Sequence, residues 1–402
     1  MAGHPRAARI IARVLAIEAH ELHRELDRVR QSLDQRHRDV PELLAARYDP
    51  VAALIPAGTA PSADQRSLIG AYLSAEYAFE AAALFNPSAV PHPDQSGLPD
   101  GAMRIVVSLR GIGEGHLSSV TFRTGIWAAD GTLAIDAASQ TAVPPVIAVA
   151  ARPDDAPQDD ATIRLDCHGS REPSETVLFP VTDSQSRGIE DLRLTPLLYP
   201  GRASTYAGTY TALSSSGARQ EMLQTDDFRS FRMHPVTGDL APGKGMALFP
   251  RQVHGRFLAI GRQDNENLWL FRSDDLFDWR DGALLIEPRY PWEIVQMGNC
   301  GSPLEIDEGW LLLTHGVGVV RNYCIGAALL DRDDPSRVLG RLPHPLMEPG
   351  PEDRDGYVPN VVYSCGGIVR GRTLLLPYGV ADNYAGFATV GVDAILAAMA
   401  RE

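Results

Sequence analysis

Cysteine is scarce: four in 402 residues, at Cys167, Cys300, Cys324 and Cys365, far apart and with no metal-type pair. That excludes a disulfide framework or a thiolate metal centre as the organising device, and buried free thiols in a cytoplasmic protein are expected. Positive charge is also short. Lys and Arg number 37 against 51 Asp and Glu, for a net charge of -14. Binding a polyanion relies on a cation excess, so a nucleic-acid partner is not expected. A small anionic ligand remains open, because a local cluster of cations acts within a Debye length. Long apolar runs are missing too. The opening residues MAGHPRAARIIARVLAIEAHE carry neither a secretory core nor a membrane span. No ligand set suited to a catalytic metal and no nucleotide motif stands out.

What remains is ordinary globular composition, 44% hydrophobic and 22% charged, with length for two or three units. Residues 1–83 differ from the rest. Ile10, Ile11, Val14, Leu15, Ile17, Leu22, Leu26 and Val29 recur at helical spacing, which predicts one long amphipathic helix. Asp39-Val40-Pro41-Glu42 starts a second, and Ser62 or Asp64 opens a third that runs to about Leu84. These helices suit either a dimerisation or lid element, giving a homo-oligomer, or a packing cap on the neighbouring domain.

Phe85-Asn86-Pro87 ends the helical texture, and the remainder reads as nearly all β. Its clearest unit spans 244–279. Runs 246–253 and 256–260 flank a His254-Gly255 turn, and run 267–272 comes after a polar loop. This is an antiparallel meander. Thr225-Asp226-Asp227-Phe228-Arg229-Ser230-Phe231 and Ser273-Asp274-Asp275-Leu276-Phe277-Asp278-Trp279 share one pattern: hydroxyl, two Asp, apolar, two variable residues, aromatic. Thr225 and Ser273 are 48 residues apart, within the span of a four-stranded propeller blade. Trp127-Ala128-Ala129-Asp130-Gly131 is a degenerate third copy. Strands are expected at 103–109, 117–122, 206–213, 309–315, 323–331 and 373–381; 134–170 reads as an irregular crossing. The Gly-rich loop 110–116 resembles a phosphate cradle only superficially, since no helix signal comes after it, and a hairpin connection is its other reading. Glu190-Asp191 beside Arg193, at the mouth of a strand, suits a functional loop. Strict alternation along a strand would turn only one of the two carboxylates inward.

One set of segments occurs in a recognisable order: Phe85-Asn86-Pro87, Glu190-Asp191-Leu192-Arg193-Leu194-Thr195, Thr209-Tyr210-Thr211-Ala212, Lys244-Gly245-Met246-Ala247-Leu248-Phe249-Pro250, Gly309-Trp310-Leu311 with His315-Gly316-Val317, Gly326-Ala327-Ala328-Leu329-Leu330-Asp331, Val358-Pro359-Asn360-Val361-Val362 and Tyr378-Gly379-Val380-Ala381-Asp382. Together they make the chain from Phe85 onward resemble glycoside hydrolase family 130, the mannoside phosphorylases and β-mannosidases. The resemblance implies a five-bladed β-propeller over 84–402 with a central pocket, and leaves 1–83 as an α-helical extension outside the common core. It assigns Asp191 as general acid, delivering its proton through a hydroxyl of the bound mannose. Such an acid needs a carboxyl pKa raised by an enclosed site. In phosphorylase members inorganic phosphate attacks the anomeric carbon and is the co-substrate; no other cofactor is implied. Lys244 and His315 lie in matching segments as its holders, with Arg110, Arg193, Arg219 and Arg262 as further cations and Asn360 and Asp382 in the binding set. This chain departs from one branch after Ala212, where Ser214-Ser215 stand in place of Asn and Arg. In hydrolase members water is the nucleophile and a second carboxylate is the base, for which Glu266 and Glu293 are candidates. Trp292 and Tyr323 could supply sugar-stacking surface. Three functions are open: a mannoside phosphorylase, an inverting β-1,2-mannosidase, and a non-catalytic glycan-binding propeller.

Overall fold

The computed structural model describes residues 5–149, 162–199 and 205–401. The chain divides into two compact units, Met1–Tyr77 and Ala78–Glu402. The first is helical. The long helix expected over 10–29 is two, Pro5–Leu15 and Ala19–Leu33, separated where Glu18 turns extended. The break lets Ile11 and Val14 of one helix and Leu22 of the next meet Leu68 and Ile69 in one core. Ser62, not Asp64, opens the last helix, by a reciprocal capping box with Gln65. That helix ends at Tyr72 and not near Leu84. Residues 78–82 belong with the strands: Ala82 N–H bonds the Ile112 carbonyl, and Glu80 pairs with Arg123. Among the described residues no helix is long and apolar enough to cross a membrane.

The second unit is a five-bladed β-propeller. The innermost strands of the blades are Ala83–Pro91, Gly188–Leu197, Ala247–Leu248, Gln296–Asn299 and Val362–Tyr363. Each sheet then steps outward by antiparallel pairing. Strand periodicity explains the ring. In Met103–Ile112, Ile105 and Val107 join a core with Ile368 and Leu375 of the fifth blade, while Val106 joins a core with Leu194 and Tyr210 of the second. In Gly309–Val317, Trp310 and Leu312 face Ile260 and Leu270 of the third blade, and Leu311 and Leu313 face Val362 and Leu374 of the fifth. A fifth cluster joins Ala207 and Met222 to Leu248 and Phe271. A sheet buried on both faces needs continuous apolar strands, which is why MRIVVSL and GWLLLTH do not alternate with polar residues.

All three copies of the repeated turn fall at one place, between the third and fourth strands of the first three blades. The hydroxyls recur in the pattern because they close the turn: Thr225 Oγ1 accepts the Phe228 N–H at 2.9 Å and Ser273 Oγ accepts the Asp275 N–H at 3.0 Å. The expected irregular crossing over 134–170 contains two strands, Val146–Val149 and Ile163–Asp166, which extend the second sheet to six. The part of it at 150–161 lies outside the described residues. The ring closes by main-chain bonds between the first and fifth blades, Cys365 N–H to Pro87 O at 2.9 Å and Ala89 N–H to Gly366 O at 3.1 Å. Arg370 reinforces that seam. Its guanidinium lies 3.9 Å from the Trp127 ring centroid and donates to the carbonyls of Gly101, Trp127 and Ala128.

Candidate functional site

The innermost strands of the first two blades lose their regularity. Bulges interrupt the pairing between Phe85 and Ser88 and between Glu190 and Arg193. Asn86 (φ 49°), Asp191 (φ 54°), Asn360 (φ 62°), Ala381 (φ 51°) and Asp382 (φ 50°) all adopt left-handed backbone. Such conformations cost energy for residues other than glycine and gather where side chains must be re-aimed. The second bulge corrects the expectation that only one of Glu190 and Asp191 faces inward. With the alternation broken, both meet Arg110, whose Nη2 is 2.7 Å from Glu190 Oε1 and whose Nη1 is 3.8 Å from Asp191 Oδ1.

These contacts form one network. Lys244 Nζ donates to Glu190 Oε2 at 2.8 Å, so Glu190 is held between two cations. Asn86 Nδ2 donates to Asp191 Oδ1 at 2.7 Å. Arg193, buried, donates to the Asp191 carbonyl at 2.8 Å and to the Tyr363 hydroxyl at 2.6 Å. The Tyr363 ring meets His315 edge-on at 5.1 Å, and His315 stacks on Tyr323 at 6.0 Å. Asp191, Lys244 and His315 are thus connected in one chain of contacts through Glu190, Arg193 and Tyr363. Arg262 lies against His315 across Gly298: a Cβ on Gly298 would be 2.8 Å from His315 Nε2 and 3.2 Å from Arg262 Cδ. One on Gly245 would be 3.0 Å from Arg262 Nε. A side chain at Gly298 would collide with His315, and one at either position would crowd Arg262. Lys244 is the chain's single lysine, all the other positions counted as Lys or Arg being arginine.

Electrostatics overturn the expected state of Asp191. Burial raises its pKa, but Arg110, Arg193, the Asn86 amide and Lys244 outweigh burial, and the net direction is downward. With no ligand bound it is a carboxylate and holds no proton near neutral pH. The carboxyl with a raised pKa is Asp382, pushed up to about 6 by burial and by the nearby charge of Asp191. His315 is driven well below its usual value by burial and by the charges of Arg262 and Arg193, so it is neutral. Its Nδ1 faces the Asn299 carbonyl at 3.3 Å and carries the hydrogen, which leaves Nε2 as an acceptor. Neither His315 Nε2 nor Arg262 Nε has a hydrogen-bond partner among the described residues.

The other candidates have different surroundings. Glu293 is buried in an ion pair with Arg341 at 2.6 Å and accepts the N–H groups of Arg289 and Tyr290. It is a structural carboxylate with no freedom to act as a base. Glu266 is exposed on a turn, its N–H bonded to Asp264. Arg219 lies on the third strand of the second blade, 3.9 Å from Glu221, beside a separate groove with Ser214–Gly217, and is not brought to Asp191. Trp292 packs over Gly316 and Gly326 and donates to the Pro343 carbonyl. Asn360 takes part through its carbonyl, which accepts the Tyr323 N–H at 2.9 Å. Sequence reasoning misses the roles of Asn86 and Tyr363; Asn86 is in the Phe85-Asn86-Pro87 segment, while nothing local marks Tyr363. All four cysteines are free and buried. Among the described residues no group of three or more His, Cys, Asp or Glu could hold a metal ion.

The state of Asp382 has a measurable consequence. An acid whose pKa is raised on folding destabilises the fold as pH rises from its unfolded to its folded value. Removing that charge in Asp382→Asn should raise stability at pH 8 by on the order of 2–3 kcal/mol. The gain should shrink through pH 6 and vanish near pH 4, which thermal denaturation across that range measures. A pH-independent difference would contradict the assignment.

Known proteins share this architecture. Residues 165–401 match a family profile described as beta-1,4-mannooligosaccharide phosphorylase. The chain is 34% identical over 215 residues to a beta-1,2-mannobiose phosphorylase of Listeria innocua, covering 51% of this chain and 58% of that protein's length. It is 31% identical over 220 residues to a 1,2-beta-oligomannan phosphorylase of Thermoanaerobacter sp., covering 53% and 71%. The solved structure of the Listeria innocua beta-1,2-mannobiose phosphorylase with beta-1,2-mannobiose superposes at a TM-score of 0.55 and 23% identity, over 80% of this chain and 92% of that one. At that identity the superposition speaks to the fold.

Proposed function

Because the chain belongs to glycoside hydrolase family 130, we propose that it is an inverting mannoside phosphorylase, taking one mannosyl unit from a β-mannoside oligosaccharide and transferring it to inorganic phosphate. The likeness to two β-1,2-specific enzymes favours a β-1,2 linkage. The observation that carries phosphate over water is the charge pattern of this network. Arg262 has no carboxylate partner among the described residues and an unbonded Nε, while Glu293 is tied to Arg341 and Glu266 is exposed, not held in the enclosed setting that would tune a base. A dianion beside Arg262 and Lys244 would be met by fixed positive charge.

In the reaction a phosphate oxygen bonds to the anomeric carbon as the glycosidic C–O bond breaks. The leaving oxygen takes a proton supplied by Asp191 through a mannose hydroxyl. The depressed pKa of empty Asp191 then has a use. An arriving phosphate adds negative charge near the carboxylate and partly cancels the cations that hold it ionised, so its proton affinity rises. The acid is armed only when the nucleophile is present. His315 Nε2, as an acceptor, suits a sugar hydroxyl or a protonated phosphate oxygen. The reading includes a cytoplasmic setting, supported by four free buried thiols, and self-association through the helical unit, which light scattering of the full chain tests.

A single lysine makes the decisive experiment simple. Lys244→Ala should raise the KM for phosphate about 10- to 100-fold, the worth of a charge-assisted hydrogen bond. An amine-directed acylating reagent should inactivate the enzyme, and phosphate should protect it. Mannose 1-phosphate formed from β-1,2-mannobiose only with phosphate supports the proposal. Free mannose released without phosphate, unaffected by Lys244→Ala, would make the enzyme a mannosidase. No turnover of any β-mannoside would leave a binding propeller.

A further inference from the structure

Beside Arg110 and Asp382 stands an aromatic pair that the chemistry above does not use. Among the large hydrophobic side chains that stand in solvent, Tyr357 is the most exposed aromatic of the described residues, at 78%. Its ring centroid lies 6.1 Å from that of His116, the two planes 32° apart. They line a cavity of about 250 Å³ together with Phe85, Ile112, Arg110 and Asp382. Arg110 also touches Glu190 and Asp191, so the cavity shares this residue with the catalytic network.

Both aromatics are exposed, yet their backbones are fixed. Gly356 is pressed on Ala381, where an added Cβ would lie 2.5 Å from the Ala381 side chain. On the other side of Tyr357, the Val358 N–H bonds the Ala381 carbonyl at 3.0 Å. His116 sits in a left-handed turn (φ 58°) closed by its N–H on Gly113 O at 3.1 Å. A large aromatic ring left in water on an anchored backbone is a poor use of surface unless something covers it.

We propose that Tyr357 and His116 form a stacking subsite for the second sugar of the substrate, on the leaving-group side of the bond that breaks. A pyranose offers an apolar C–H face to Tyr357 and His116 and a rim of hydroxyls to the Asp382 carboxyl and the Arg110 guanidinium, which is the usual division of a ligand pocket into apolar walls and a few directed polar groups. This rests on the β-mannoside reading. It adds that the enzyme selects its substrate by the sugar that departs as well as by the mannose that is transferred.

The test combines kinetics with direct binding. Tyr357→Ala and His116→Ala are assayed on β-1,2-mannobiose and mannotriose, and oligosaccharide binding to the same variants is measured by calorimetry. The saccharide KM should rise about tenfold in Tyr357→Ala, the scale of one aromatic contact, and more than the KM for phosphate does. Tyr357→Trp should restore most of it, because a flat ring is what the subsite requires. An active wild type with an unchanged saccharide KM in Tyr357→Ala and in the double variant overturns the subsite alone. A wild type that binds mannobiose without turnover, with binding lost in Tyr357→Ala, upholds the subsite and rejects the reaction. A wild type that neither binds nor cleaves rejects both.

Discussion

Replacing Asp191 by Asn should lower turnover by about 10²- to 10⁴-fold, the contribution of a positioned general acid. The substitution preserves most of the local structure. Asn tolerates the left-handed backbone at least as well as Asp, so the bulge at φ 54° need not relax. What is lost is the proton and the negative charge. A substrate whose leaving group departs without a proton, such as an aryl β-mannoside with a nitrophenol, should recover much of the rate. Equal losses on activated and unactivated substrates would remove Asp191 from the role of acid.

The same variant should also be less stable, which sequence alone would not suggest. In the wild type the Asp191 carboxylate compensates Arg110 and Arg193, and its pKa is held below the ordinary value. An acid with a depressed folded pKa stabilises the fold at pH values above its unfolded pKa, and that contribution is lost as pH falls through the folded one. The Tm difference between wild type and Asp191→Asn should therefore be full at neutral pH and close only in strong acid, below pH ~4. Asp382→Asn should show the opposite sign. Two neighbouring carboxyls with opposite shifts form a coupled pair whose charges are divided by geometry: Asp191 has the cations, and Asp382 has Asp191.

The chain shows in local pattern what local interactions decide. The turns at Thr225 and Ser273 are legible because a hydroxyl bonding an N–H two or three residues on is a property of one short segment. The inner ring is not of that kind. A bulge is a count of residues against a partner strand, so nothing within Glu190–Arg193 says that alternation will fail there. The ionisation of Asp191 depends on Asn86, 105 positions earlier, and on Arg110 of the first blade. Glu293 looks available in sequence for the same reason in reverse, because its partner Arg341 is 48 positions later. One sign of the site needs no structure at all: a lysine that occurs once in a chain rich in arginine.

Arg193 joins these observations, and its replacement should have the largest effect on stability. Its side chain is 1% exposed and runs from the second blade to the fifth, donating to the Asp191 carbonyl and to Tyr363. Arg193→Ala would leave a buried carboxylate with fewer cations and a buried phenol without its partner, and removing one member of a buried charge network costs about 3–5 kcal/mol. Denaturant unfolding should register that loss, and a change under ~1 kcal/mol would mean that the guanidinium does not tie the two blades together. Arg193→Lys separates charge from geometry. It keeps the cation but cannot reach both acceptors with one planar fork, so it should recover part of the stability and little of the turnover. Arg193 holds Asp191 by its carbonyl, so the rate loss should fall on kcat more than on the KM for phosphate. A variant in which the phosphate KM rises instead would place Arg193 on the nucleophile and not beneath the acid.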